Sequence, residues 1–155
     1  MSSRSTAVVL AFAALALTAC DQRHEMAANP KICADFKQQA KAAPIVAGAE
    51  GAAPVDECVR RWAYSLAPSR DPAATVAEAT VAACSVQLAH WNQQTLNQPG
   101  SDVEADSITT GAPTTPLAEH SAFTAARALF YVVQARAGAC APPPVTNGVP
   151  DGAAG

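Results

Sequence analysis

The side chains here with chemistry to offer are five cysteines, three histidines and a few neighbouring arginines. A thiol redox centre needs two cysteines close along the chain, so that one thiolate attacks and the other resolves. Cys20, Cys33, Cys58, Cys84 and Cys140 contain no such pair, and Cys84 on an apolar helical seam suits a structural bridge. Zinc asks for local pairs of Cys or His, whereas His24, His90 and His120 are scattered. There is no G-x-S-x-G turn for a serine nucleophile and no glycine-rich phosphate loop. His90 beside Trp91 reads as the edge of a packed face. Glu119 and His120 are adjacent, so on a helix they diverge, and they read as a solvated face. Arg60, Arg61 and Arg70 offer a candidate anion- or partner-binding patch. The plainer reading is surface arginines whose stems cover apolar area. No catalytic residue, metal or cofactor is expected.

The first cysteine differs from the rest. Residues 1–6 are short and polar with Arg4, and residues 7–19 are apolar. About thirteen residues suit a signal-peptide core but fall short of the roughly 20 a membrane-spanning helix needs. An exported chain with an odd number of cysteines needs an explanation for one of them. Setting Cys20 aside leaves four that pair evenly. Leu17-Thr18-Ala19-Cys20 resembles the lipobox of bacterial lipoproteins, a likeness confined to residues 1–22. It implies that the Cys20 thiol receives a diacylglycerol, that cleavage falls between Ala19 and Cys20, and that the new amino terminus is acylated. Asp21 then sits where enterobacterial members carry an inner-membrane retention signal. The alternative is an ordinary secretory signal cut after Ala14-Leu15-Ala16.

Net charge is −3, and no stretch has the broad cationic footprint of a nucleic-acid binder. Hydrophobic residues make up 50% but aromatics only 5%. Much of the apolar content is alanine, which favours helix and buries little area. The expected core is thin, built on Trp62, Tyr64, Trp91, Phe123, Phe130 and Tyr131, and in need of covalent support.

The elements that must position these residues follow from periodicity and punctuation. Residues 1–19 are the expected signal, 20–30 a lipidated tether, 31–140 a helical domain with a loop over 99–115, and 141–155 a disordered Pro/Gly/Ala tail. Residues 31–42 read as a short helix carrying Cys33 and Phe36. Pro54 opens a second helix that Pro68 closes, with Cys58, Trp62 and Leu66 on one stripe. Asp71-Pro72 is a cap-and-proline start. From there one long helix is expected to about Gln98, with Ala77, Val81, Cys84, Leu88, Trp91 and Thr95 as its seam. Thr115-Pro116 repeats the device. The last helix is expected to bury Phe123, Ala126, Phe130, Val133 and Ala137, with Leu129 and Val132 beside them, and to end on Gly138 as its C′ residue. No strand is expected. The fold class is therefore all-α: a small Ala-rich bundle of three main helices plus a short N-terminal one.

Two helices joined by a short turn near residue 69 pack antiparallel. Cys58 then faces about residue 81, one turn from Cys84. This predicts Cys58–Cys84, and by elimination Cys33–Cys140.

The function expected from these observations is that of a membrane-anchored periplasmic lipoprotein, on the inner membrane by preference. Its role would be that of a non-catalytic envelope accessory or protein-binding module with an envelope protein as partner. The alternatives are a periplasmic enzyme or redox module with a dispersed site, and a helical bundle that binds a small ligand or lipid. The segments "ECVRRWAYSLA" and "VAEATVAAC" look faintly similar to small bacterial envelope proteins, a likeness that carries no activity.

Overall fold

A computed structural model describes residues 29–36, 50–100, 104–107 and 110–153. The described residues form four helices: α1 (Ala52–Leu66), α2 (Ala73–Ala83), α3 (Ser85–Leu96) and α4 (Pro116–Gly138). A 3-10 turn, Pro30–Ile32, precedes them. Four two-residue strands complete the described elements: β1 (Ala105–Asp106) pairs antiparallel with β2 (Pro113–Thr114), and β3 (Val145–Thr146) with β4 (Val149–Pro150). The expected all-α, disulfide-stapled bundle is thus the fold, with Cys33–Cys140 and Cys58–Cys84 bonded. Half of the expected 31–42 helix lies outside the described residues; in the other half residues 31 and 32 belong to the 3-10 turn and residues 33–35 are not helical. Phe36 at its near edge is buried against Tyr64, edge to face at 5.1 Å.

Three local signals act as anticipated. Thr115 caps α4, its hydroxyl accepting from the Ala118 amide at 3.3 Å, and Pro116 takes the first helical position. Pro54 sits in the first turn of α1, where its missing N–H costs nothing. The Cys58–Cys84 bridge, with Cα atoms 5.9 Å apart, holds α2 back along α1. The cap of α2 moves by one residue. Pro72 is its N-cap, while the Asp71 carboxylate accepts from Ser69 Oγ at 2.5 Å and so fastens the turn instead.

The single long helix expected from Asp71 to Gln98 is two helices. Cys84 leaves helical geometry (φ −103°, ψ 16°), and its amide is shared between the Thr80 and Val81 carbonyls. The break coincides with the crosslink. Cys84 is held on α1, while α3 turns to lay Trp91 on the start of α4. No residue of α3 is fully buried.

α4 also differs, and more instructively. Its buried face is His120, Thr124, Ala128, Tyr131, Val132, Ala135 and Gly138. Of the face expected to be buried, Phe123 is only partly covered, and Phe130 and Val133 are 53% and 51% exposed. Leu129 beside them is 42% exposed. Small residues let α4 approach α1 and α2 closely. The polar members are satisfied: the Thr124 hydroxyl donates to His120 O at 2.7 Å, as Thr80 does to Val76 O at 2.9 Å in α2. The helix thus turns its richer apolar stripe outward.

Gly138 is not the C′ residue. It lies inside α4, and Ala139 takes the left-handed conformation (φ 47°, ψ 45°). A Cβ on Gly138 would meet Cys140 Sγ at 2.6 Å and Cys33 Sγ at 2.9 Å. The glycine makes room for the bridge. Gly138→Ala is therefore expected to destabilise by about 1–3 kcal/mol through overpacking. Ala139→Gly should stabilise by about 0.5–1 kcal/mol, by relieving left-handed strain against a greater unfolded-state entropy. Urea unfolding of the two variants checks both signs, and a stabilising Gly138→Ala would show that the sulfurs leave space.

The tail over 141–155, expected to be disordered, is packed across its described part. Asn147 and Gly148 both have positive φ (52° and 82°), which makes the two-residue turn of a β-hairpin. Pro143, Pro150 and Ala153 are buried. The Arg61 guanidinium donates to the Asp151 carbonyl, and Gln87 Nε2 donates to Ala153 O at 3.0 Å. Gly152 (φ 79°) lets the chain pass Arg61, whose Cζ a Cβ there would meet at 2.9 Å. Proline-rich composition hid an Asn-Gly turn with an arginine to receive it.

Candidate functional site

Ala19, Cys20 and Asp21 lie outside the described residues, as does His24. The other candidates separate rather than converge. Arg60 and Arg61 both turn onto Glu57, Arg61 through Nε at 2.5 Å and Arg60 through a second oxygen. Both guanidinium groups also lie over the Phe36 ring, at 5.6 and 5.3 Å from its centroid. Arg61 is buried, so it anchors the tail from inside and does not offer a surface for a partner. Arg70 stands exposed in the α1–α2 turn. The expected three-arginine patch is therefore an internal ion pair plus one surface residue.

A second charged cluster joins α1 to α4. Asp56 accepts from Arg127 Nε at 2.6 Å and from Arg127 Nη2 at 3.2 Å, a two-point pairing. Tyr131 donates its hydroxyl to the same carboxylate at 3.0 Å and accepts from Arg127. Burial, and next the Asp56 charge, push the Tyr131 phenol up to about 12, so it remains a donor. The acceptors are filled and Tyr131 is itself buried, so the cluster reads as a register pin between two helices. Tyr64 supplies a second pin, donating to Gln134 Oε1 at 3.0 Å. The pairings of Asp56 with Arg127 and Tyr64 with Gln134 run α1 and α4 in the same direction.

His120, expected on a solvated face, is buried at the α3–α4 contact. Its ring stacks on Trp91, centroids 3.5 Å apart and planes 16° from parallel, and Phe123 meets Trp91 edge-on at 5.7 Å. Asn92 Oδ1 lies 2.8 Å from Nδ1, within hydrogen-bond distance. His90 next door is exposed, with Gln94 at 3.5 Å. Burial lowers the His120 pKa below its ordinary 6.5. The folded protein then resists a proton that the unfolded chain accepts, so stability falls as pH drops through 6.5 toward the folded value. The melting-temperature advantage of wild type over His120→Gln is expected to shrink between pH 7.5 and pH 5.5. Parallel pH curves for the two would refute that burial.

Between α2 and α4 runs an open apolar groove of about 440 Å³. Ala74, Ala77, Val81, Ala82, Ala125 and Leu129 line it, with Glu78 at its side. The alanines on both walls create it, because short side chains leave the space between the helices unfilled. It can accept an apolar chain or a partner's aliphatic side chain, and Glu78 is the one ionisable residue of its lining. Among the described residues, no three of His, Cys, Asp and Glu come together to hold a metal. No described helix is long and apolar enough to cross a membrane.

Sequence reasoning missed the Asp56–Arg127–Tyr131 cluster, because its partners are separated by some seventy positions and carry no motif. Arg127 and Tyr131 at i, i+4 were the one local signal.

No family model, no curated protein and no solved structure matches this chain.

Proposed function

We propose that the protein is a lipoprotein fixed by Cys20 to the periplasmic face of a bacterial membrane. There it serves as a non-catalytic envelope accessory or protein-binding module. The observation that carries this reading is Leu17-Thr18-Ala19-Cys20 at the end of an apolar run, in a chain whose other four cysteines pair with one another. That pairing supports it by leaving Cys20 as the odd thiol. Two or three acyl chains, at about 0.8 kcal/mol per buried methylene, anchor far more firmly than one. Asp21 favours retention at the inner membrane.

Radiolabelled palmitate tests the anchor: label is expected on wild type and lost in Cys20→Ser, and label that survives the substitution overturns it. Mild cross-linking followed by purification tests the partner. A stoichiometric envelope complex is expected, and none under several growth conditions argues against a binding module. A thiol titration of the native mature protein addresses the redox alternative, since reactive thiols from residues 33–140 would favour it.

The α2–α4 groove favours a second reading, capture of a small apolar ligand or lipid. Mass spectrometry of a detergent-free soluble domain should then show a bound lipid that Ala125→Trp, which fills the groove, displaces.

A further inference from the structure

We propose that the outward stripe of α4 (Leu129, Phe130 and Val133, with Ala122, Ala126 and Ala137) lies against the bilayer that holds the tether. The inference rests on the lipid anchor at Cys20 and adds to it the face the domain turns to the membrane.

The stripe is the richest apolar surface of α4, and the described residues leave most of it exposed. Phe130 and Val133 are each about half exposed, with Leu129 close behind. No acidic or basic side chain interrupts positions 122, 126, 129, 130, 133 and 137. The opposite face of α4, Tyr131 and Val132 included, is already packed in the bundle, so the stripe is the face left outside.

The occupant is indicated by where the tether meets the domain. Gln134, the neighbour of Val133, donates through Nε2 to Ile32 O at 2.7 Å. Cys33 is bonded to Cys140 just beyond the end of α4, and Ile32, itself partly exposed, rests beside Gly138. The chain from Cys20 therefore joins the bundle at the end of α4 that carries Phe130 and Val133. From Cys20 to Asn29 is ten residues, which span at most about 35 Å when fully extended. Phe130 is four residues from Gln134, about 6 Å along the helix. An anchored Cys20 thus keeps the stripe within reach of the bilayer at all times, an effective concentration that no freely diffusing partner matches. Lys31 stands exposed at the join and places a cation at the tether end of α4, where an anionic bilayer surface attracts it.

The test places a photoreactive benzoylphenylalanine at position 130, 133 or, as an exposed control on α3, 93, in the full chain expressed in cells. Palmitate incorporation is followed in the same samples. Label on Cys20 with lipid adducts at 130 and 133 at least fivefold above position 93 is the expected result. Label on Cys20 with adducts to a protein, to a second copy, or at control level overturns the bilayer contact and leaves the anchor standing. Absence of label on the wild-type chain overturns both. Phe130→Ser with Val133→Ser, two exposed positions, should leave the melting temperature within a few degrees. It should also abolish lipid adducts from a photoreactive group at position 126.

Discussion

Replacing Cys33 and Cys140 together by alanine is expected to cost about 4–5 kcal/mol of unfolding free energy. The bridge spans 107 residues, and in the chain-entropy account a loop of about 100 residues contributes roughly 4.7 kcal/mol. Cys58–Cys84 spans 26 and falls near 3.5 kcal/mol on the same scale. The order of the two double variants is the informative result, because packing predicts the reverse. Cys58 and Cys84 are wholly buried, whereas Cys33 and Cys140 are partly exposed. Urea unfolding of both, under conditions where the remaining bridge stays oxidised, decides between the accounts. A larger loss from Cys58→Ala/Cys84→Ala would mean that packing around the sulfurs outweighs loop closure.

Tyr64→Ala should cost a further-reaching 3–5 kcal/mol, the range for truncating a buried aromatic. Tyr64 is fully buried, meets Phe36 edge to face, and among the described residues is the one large ring wholly enclosed. Its hydroxyl also accepts from the Ala34 amide at 3.1 Å while donating to Gln134. Gln134 in turn holds Ile32 O. One phenol therefore links the segment before Phe36 to α1 and α4. Tyr64→Phe keeps the ring and removes the link, leaving a half-buried amide without its acceptor, for about 1 kcal/mol. Amide exchange would locate the difference. Faster exchange at Ala34, with α1 unchanged, is expected in Tyr64→Phe, and uniform loosening would place the role of the hydroxyl elsewhere.

What the sequence made legible was punctuation and covalent logic. Thr115-Pro116 opened α4, the Pro54 start and Pro68 stop bracketed α1, and the short turn between helices predicted both disulfides. What it hid was decided by size and by self-satisfied polarity. Thr80 and Thr124 enter the core because each bonds its own helix, a state that hydropathy scores as surface. His120 enters because Trp91 covers it. With His120 read as solvated and the threonines carrying no apolar signal, the stripe of Phe130 and Val133 looked like the only buried face α4 had. The hairpin was missed for a similar reason: Asn147-Gly148 is a strong turn signal, but it stood among prolines and alanines with no alternating strand pattern around it. Residue type showed the three cations of the arginine patch and not the Glu57 carboxylate that faces two of them. The α2–α4 groove left no motif at all, since it is a shortage of side-chain volume rather than a set of reactive groups.

The Cys33–Cys140 bridge has a mechanical meaning. It closes a ring around all four helices, with the segment before Cys33 on one side and the hairpin on the other. Tension applied before Cys33 passes through two sulfur atoms directly onto the end of α4. It does not peel Ala34 to Phe36 from the core first. The bundle sits within the ring as a passenger, shielded from a load drawn between the two ends of the chain. Under the proposed anchor at Cys20 the load arrives before Cys33, and the bridge protects the domain against unravelling from that side.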